Sequence, residues 1–162
     1  AKNPLLLTLL VLIYANAGSI GARRHVIYTQ AIKTLVSVRG RETREQQISE
    51  ADLRLRLGAI ASSIFKRKIA EIPRKSEVYA VLSAVMFGSK NIDSSSILRM
   101  SGFLQEVSEA TGLISIHSDG VGNEDDALIT FMHYSFLEYY AASGLLSNDY
   151  LGVLPEVADN PR

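Results

Sequence analysis

The chain's imidazoles are His25, His117 and His133. An imidazole can take a proton, give an N–H to an anion or hold a metal. These three lie far apart, without the H-x-x-x-H spacing that sets two ligands on one helix face, so no metal site is expected. Cysteine is absent, which excludes a thiolate metal site, a disulfide framework and a cysteine nucleophile. Asp119, Glu124, Asp125 and Asp126 gather around Gly120 and Gly122. Their spacing is not that of a calcium-binding loop, and a solvated hairpin tip is the better reading. The phosphate-cradling G-x-x-x-x-G-K-[ST] is missing, as are G-x-G-x-x-G and G-x-S-x-G. This stretch of chain is therefore not expected to be an enzyme by itself.

The elements that carry these residues are mostly helices. Asn3-Pro4 is a helix start, since Asn caps free amides and Pro at the first helical position loses no hydrogen bond. The residues after it are apolar on nearly every side, which predicts a helix buried all round, stopped near Gly18 and Gly21. A second helix is predicted over 23–38, then a polar linker over 39–47. Ser49 and Asp52 form an S-x-x-D cap, with Ile48 and Leu53 placed as a hydrophobic staple, and Leu53, Leu57, Ile60 and Ile64 give the third helix its apolar face. Pro73 breaks the chain. Ser76 is read as the cap of a fourth helix over 77–87, 91–96 as a turn, and 97–111 as a fifth helix. The period then changes to that of strands over 113–117 and 127–132, joined by the acidic loop, and a last helix is predicted over 135–146.

The expected fold is mainly α: a small helical bundle over 1–72, a winged-helix domain with one β-hairpin over 73–147, and 148–162 as a tail or the start of a following connection. With 162 residues, 47% of them hydrophobic, there is material for a real core. The zero net charge hides a division. Residues 1–75 hold 14 Lys/Arg against 5 Asp/Glu, and residues 76–162 hold 3 against 12. Two opposed halves face each other, or face different partners, or are simply two solvated faces. The longest apolar run, from Pro4 to Ala15, is too short to span a bilayer. Lys2, that run and Ala15-Asn16-Ala17 imitate a signal peptide, but Pro4 opens the run and position 1 is not Met. The sequence reads instead as a piece of a longer, cytoplasmic polypeptide. A winged helix invites a DNA-binding reading, yet the fifth helix offers Arg99 with Glu106 and Glu109, and the wing has four acids. Such a surface repels phosphates.

Residues 131–142, in the pattern F-x-H-x-S-F-x-E-Y-x-A-A, resemble the end of the winged-helix domain of NACHT-type signal-transduction NTPases of the STAND class. Asn3-Pro4-Leu5-Leu6-Leu7 resembles the opening of the helical domain that follows their nucleotide-binding core. The resemblance covers about residues 3–146. It implies a regulatory lid that senses the ADP or ATP state and controls oligomerisation in signalling or defence. It implies ADP or ATP, with Mg, bound mainly by an upstream domain, and no cofactor in this part alone. The expected partners are that upstream domain and further copies of the chain, with neither DNA nor membrane. Two positions follow from it. His133 matches a histidine that reaches the β-phosphate of ADP, where an N–H to phosphate is a charge-assisted bond; the alternative is a core histidine on a backbone carbonyl. Pro4 matches a proline on the adenine side of the nucleotide, or it only opens its helix. Arg23-Arg24 resembles a recurrent basic pair, and Phe136, Tyr139 and Tyr140 read as packing residues.

Overall fold

A computed structural model describes residues 4–18, 23–39, 49–66, 72–88, 91–118 and 126–146. It is mainly helical, with one small antiparallel sheet. The order is α1 (Pro4–Ala17), α2 (Arg24–Arg39), α3 (Glu50–Lys66), α4 (Lys75–Phe87), α5 (Ser94–Thr111), β1 (Ile114–His117), β2 (Leu128–Phe131) and α6 (Tyr134–Leu146).

Local chemistry explains most of the boundaries. The Ser49 hydroxyl accepts the Asp52 amide at 3.0 Å and donates to the Asp52 carboxylate at 2.7 Å, starting α3 where the cap is expected. The proposed Ile48 staple lies outside the described residues. α5 begins three residues before its expected start. Asp93 accepts the Ser96 amide at 2.7 Å and the Ser95 hydroxyl at 3.0 Å, so the serines read as a turn form a capped first helical turn. α4 also starts early, at Lys75 rather than Glu77, because Arg74 is extended and its amide donates to the Glu77 carboxylate at 2.9 Å. Gly88 and Gly112 take positive φ and close α4 and α5, a conformation that would strain residues with a Cβ.

α3 is the central helix. Leu53, Leu57 and Ile60 are fully buried, as their spacing predicts. Gly58, Ala59, Ala61 and Ser62 are buried too, so α3 is enclosed on more than one side. Its main neighbour is α6, with α4 on a further side. At the α3–α6 seam the two backbones nearly touch. A Cβ on Gly144 would come 2.6 Å from the Gly58 carbonyl oxygen and 2.6 Å from Ser62 Oγ. The Ser62 hydroxyl donates across the seam to the Ala141 carbonyl.

β1 and β2 pair in the register Ile114↔Phe131, Ser115↔Thr130, Ile116↔Ile129, His117↔Leu128. Ile114 and Ile129 are buried on the core face. On the other face His117 Nε2 lies 3.0 Å from the Thr130 hydroxyl. The free edge of β2 receives the chain just before α4. The Pro73 carbonyl accepts the Ile129 amide at 3.0 Å, and the Lys75 amide donates to Ala127 at 2.7 Å. Proline fits this edge because only its carbonyl is used.

One buried cluster runs from Ile13 of α1, through Tyr28, Ala31 and Ile32 of α2, into α3–α6. It crosses residue 73, the expected boundary between two units. α1 differs from expectation. It packs chiefly on α2, and Leu7, Val11 and Tyr14 are left 65%, 61% and 63% exposed rather than enclosed.

Two measurements follow. Gly144→Ala forces overpacking against the α3 backbone, which costs about 1–3 kcal/mol; urea unfolding is expected to show it, whereas Gly102→Ala, with open space around its Cβ position, is expected to be tolerated. Asp93 is held below the ordinary carboxylate pKa by hydrogen bonds from Ser96, with the Ser95 hydroxyl adding to them. A depressed acid stabilises the fold above its unfolded pKa and loses that contribution as pH falls through its folded one. The stability advantage of the native chain over Asp93→Asn is therefore expected to be constant near neutrality. It should shrink below about pH 4, as thermal melts across an acid series will report.

Candidate functional site

His133 stands between β2 and α6. The ladder holds the approach, with the Met132 amide donating to the Leu113 carbonyl at 2.9 Å. The His133 carbonyl then accepts the Phe136 amide at 3.0 Å and the Leu137 amide at 3.4 Å, so this residue caps α6. Its ring turns back on the same turn. Nδ1 lies 2.7 Å from the Ser135 hydroxyl and accepts the Ser135 amide at 3.2 Å. A ring nitrogen that accepts a main-chain N–H carries no proton, so the neutral imidazole keeps its proton on Nε2. The ring is half-buried, and its neighbours Met132 and Tyr134 are exposed.

The helix behind the histidine is fixed at several points. Phe136 is fully buried and meets Tyr28 of α2 edge-on, with ring centroids 5.4 Å apart. The Tyr139 hydroxyl is 2.9 Å from Thr29 Oγ1, tying α6 to α2 again. Tyr140 is buried between Phe131 and Tyr139, with centroids at 6.2 and 5.4 Å. All three aromatics act in packing, as their sequence pattern suggests. The Tyr140 hydroxyl is buried with no hydrogen-bond partner among the described residues. Burial, with the neighbouring Tyr139 adding to it, pushes this phenol far above its usual range, so it stays neutral.

Pro4 is the first residue of α1, and its side chain lies outside the described residues. α1 packs chiefly on α2, whose Tyr28 touches Phe136. Arg23, Arg24 and His25 are exposed around the start of α2, and Glu138 is exposed on α6. His117 is exposed on the sheet, bonded to Thr130. The structure thus leaves the three histidines on separate elements. Among the described residues no group of three or more His, Asp or Glu is placed to hold a metal. Of the acidic loop, Asp126 is described, and it pairs with Arg74 at 2.9 Å; 119–125 lie outside the described residues. No described helix is long and apolar enough to cross a membrane.

Two partners escaped the sequence reading. Ser135 orients the His133 ring, and a hydroxyl residue two places after a capping histidine is the signal that finds it. Thr29 pairs with Tyr139 across 110 positions, a contact with no local signature. The exposed face of α5 holds Leu98, Arg99, Gly102, Gln105 and Glu109, one cation against one anion. The Arg99 guanidinium lies over the Phe87 ring, 5.0 Å from its centroid. This face carries no net positive charge.

No family model matches the chain, and neither a curated protein nor a solved structure matches it.

Tyr140→Phe removes the unpartnered hydroxyl and keeps the ring. The variant is expected to be as stable as the native chain or up to about 1 kcal/mol more so. A fall in denaturant midpoint would show that the hydroxyl has a stabilising partner.

Proposed function

We propose that this chain is the helical and winged-helix lid of a NACHT-type signal-transduction NTPase, closing over a nucleotide held by a domain upstream of it. The setting of His133 carries the reading. A half-buried ring caps α6, its Nδ1 is engaged by Ser135, and the proton of the neutral ring is on Nε2. In that tautomer the ring has an N–H to offer a phosphate at Nε2. The N-terminal turn of α6 adds a positive pole beside it. In this role His133 is the latch between the lid and the β-phosphate of ADP, and Pro4 lines the adenine side. ADP or ATP with Mg is bound mainly by the upstream domain, and the phosphate chemistry belongs there. The lid reports which nucleotide is present and so governs assembly of copies in signalling or defence.

The winged-helix part of the reading is supported by the order of elements. A helix, a short edge segment, two helices and a hairpin follow one another from α3 to β2, and the edge segment at 73–75 pairs with the second hairpin strand. In this assignment α3 belongs with the winged helix, because its main partner is α6. The boundary then falls between α2 and α3 rather than at residue 73, and α1 with α2 forms the helical part.

The test uses the protein with its nucleotide-binding domain present. A hydrogen bond to a charged group contributes about 1.5–3 kcal/mol, so His133→Ala is expected to weaken ADP binding by about 10- to 150-fold on calorimetry. The same substitution should raise the fraction of assembled protein at a fixed ADP concentration. Unchanged ADP affinity would remove the latch.

A further inference from the structure

Two helices of this chain leave open faces of the same length. On α1 the face is Leu7, Val11 and Tyr14, at spacing i, i+4, i+7, followed one turn later by Gly18. On α5 it is Leu98, Gly102, Gln105 and Glu109, at spacing i, i+4, i+7, i+11. Each set lies within one narrow stripe of a helix. Leu98 is 75% exposed, the highest value among the chain's described large hydrophobics. A Cβ at Gly102 would meet nothing within 4 Å, so the middle of the α5 stripe is a gap in the surface. The ends of the stripes are oppositely charged. Past the C-terminal end of α1, at the start of α2, stand exposed Arg23 and Arg24, and the C-terminal end of the α5 stripe carries exposed Glu109. Glu109 accepts one bond, from Gln105 at 2.9 Å, which leaves acceptor capacity on its carboxylate.

We propose that copies of this chain associate head to tail, the open face of α1 on one copy lying along the open face of α5 on the next. Set parallel, the two stripes match position by position. Leu7 meets Leu98, Val11 fills the gap over Gly102, and Tyr14 faces Gln105. Arg23 and Arg24 come beside Glu109. A parallel pairing of α1 with α1 would bring Arg23 and Arg24 of both copies together, and a parallel pairing of α5 with α5 would bring the two Glu109 carboxylates together, whereas the α1–α5 pairing sets Glu109 beside the two arginines. This contact is heterologous, and each copy keeps one free face of each kind for the next. The charge division between the chain's two halves acts in the same direction, adding attraction at longer range. This inference does not rest on the nucleotide reading: it uses neither His133 nor an upstream domain.

The experiment is sedimentation of the 162-residue chain and two of its variants, Val11→Asp and Leu98→Asp. Two helix faces make a small interface, so association is expected at concentrations on the order of 100 μM, and it should weaken as salt is raised. Each variant alone is expected to remain monomeric, having lost one of the two faces. An equimolar mixture is expected to form a 1:1 dimer and nothing larger, because each variant supplies the face the other lacks. Both substitutions are at exposed positions, and Leu7→Asp replaces Val11→Asp if circular dichroism shows that variant unfolded. A native chain that stays monomeric at every concentration overturns the proposal. So does a Leu98→Asp chain that still self-associates, which would mean α1 pairs with α1, and so does a mixture that stays monomeric.

Discussion

The seam between α3 and α6 constrains everything that could act in this protein. Helices normally meet through side chains; here Gly58 and Gly144 let the main chains themselves come together, and Ser62 donates to Ala141 across the contact. Close approach of this kind leaves little freedom for α6 to slide or rotate, because any added atom would clash with backbone. The direction of α6 in turn sets where β2 must hand over, and so where His133 sits. The same helix presents Phe136 and Tyr140 inward, so the seam and the aromatic packing are two consequences of one orientation. A candidate ligand-binding side chain gains from such support, since its pose is determined by packed helices rather than by its own loop.

α2 is the second determinant. It is the chief packing partner of α1. Its contacts combine a buried aromatic pair, Tyr28 on Phe136, with a polar one, Thr29 to Tyr139, and a surface ion pair, Lys33 to Glu50 at 3.6 Å. The first supplies most of the stability, since large buried aromatic area outweighs an exposed ion pair. The second fixes register, because a hydroxyl pair is lost if α2 shifts by one residue. α1 gains no comparable support. Ile13 is enclosed, while Leu7, Val11 and Tyr14 face outward from the most apolar of the described helices. A helix can be apolar all round and still find protein on one side only; composition states what a surface prefers and not whether a partner is present.

What the sequence made legible was local. The Ser49–Asp52 cap, the stripe of Leu53, Leu57 and Ile60, and the two strands depend on neighbours within a few residues, and each is found where its pattern places it. The starts of α4 and α5 were misread for opposite reasons. At α5 the run Asp93-Ser94-Ser95-Ser96 looks like a turn because serine competes for backbone bonds, yet one carboxylate collects those donors into a helix cap. At α4 the start is set by strand pairing of 73–75 with β2, a partner more than fifty positions away. The seam was illegible for a simpler reason. Gly58, Ala59, Ala61 and Ser62 have almost no apolar signal, so their burial leaves no periodicity to read. At the candidate site, His133 stood out through its flanking pattern, while the part Ser135 plays is visible only in the geometry of the turn.

The opposed charges of the two halves acquire a more definite meaning once residues are placed. Within the basic half, the described acids are used close to home: Glu50 serves Lys33 and Arg54, and Asp52 serves Arg56. Arg74, at the edge of the sheet, reaches across to Asp126 at the base of the acidic loop. That pair turns the Asp126 carboxylate toward the start of α4. On α5 the one exposed cation is stacked on Phe87, and Leu98 stands open beside it. A helix built to enter a DNA groove would invert this arrangement, with apolar surface withdrawn and guanidinium groups extended. The exposed face of α5 thus combines a projecting leucine, a glycine gap and a terminal carboxylate with a single stacked cation.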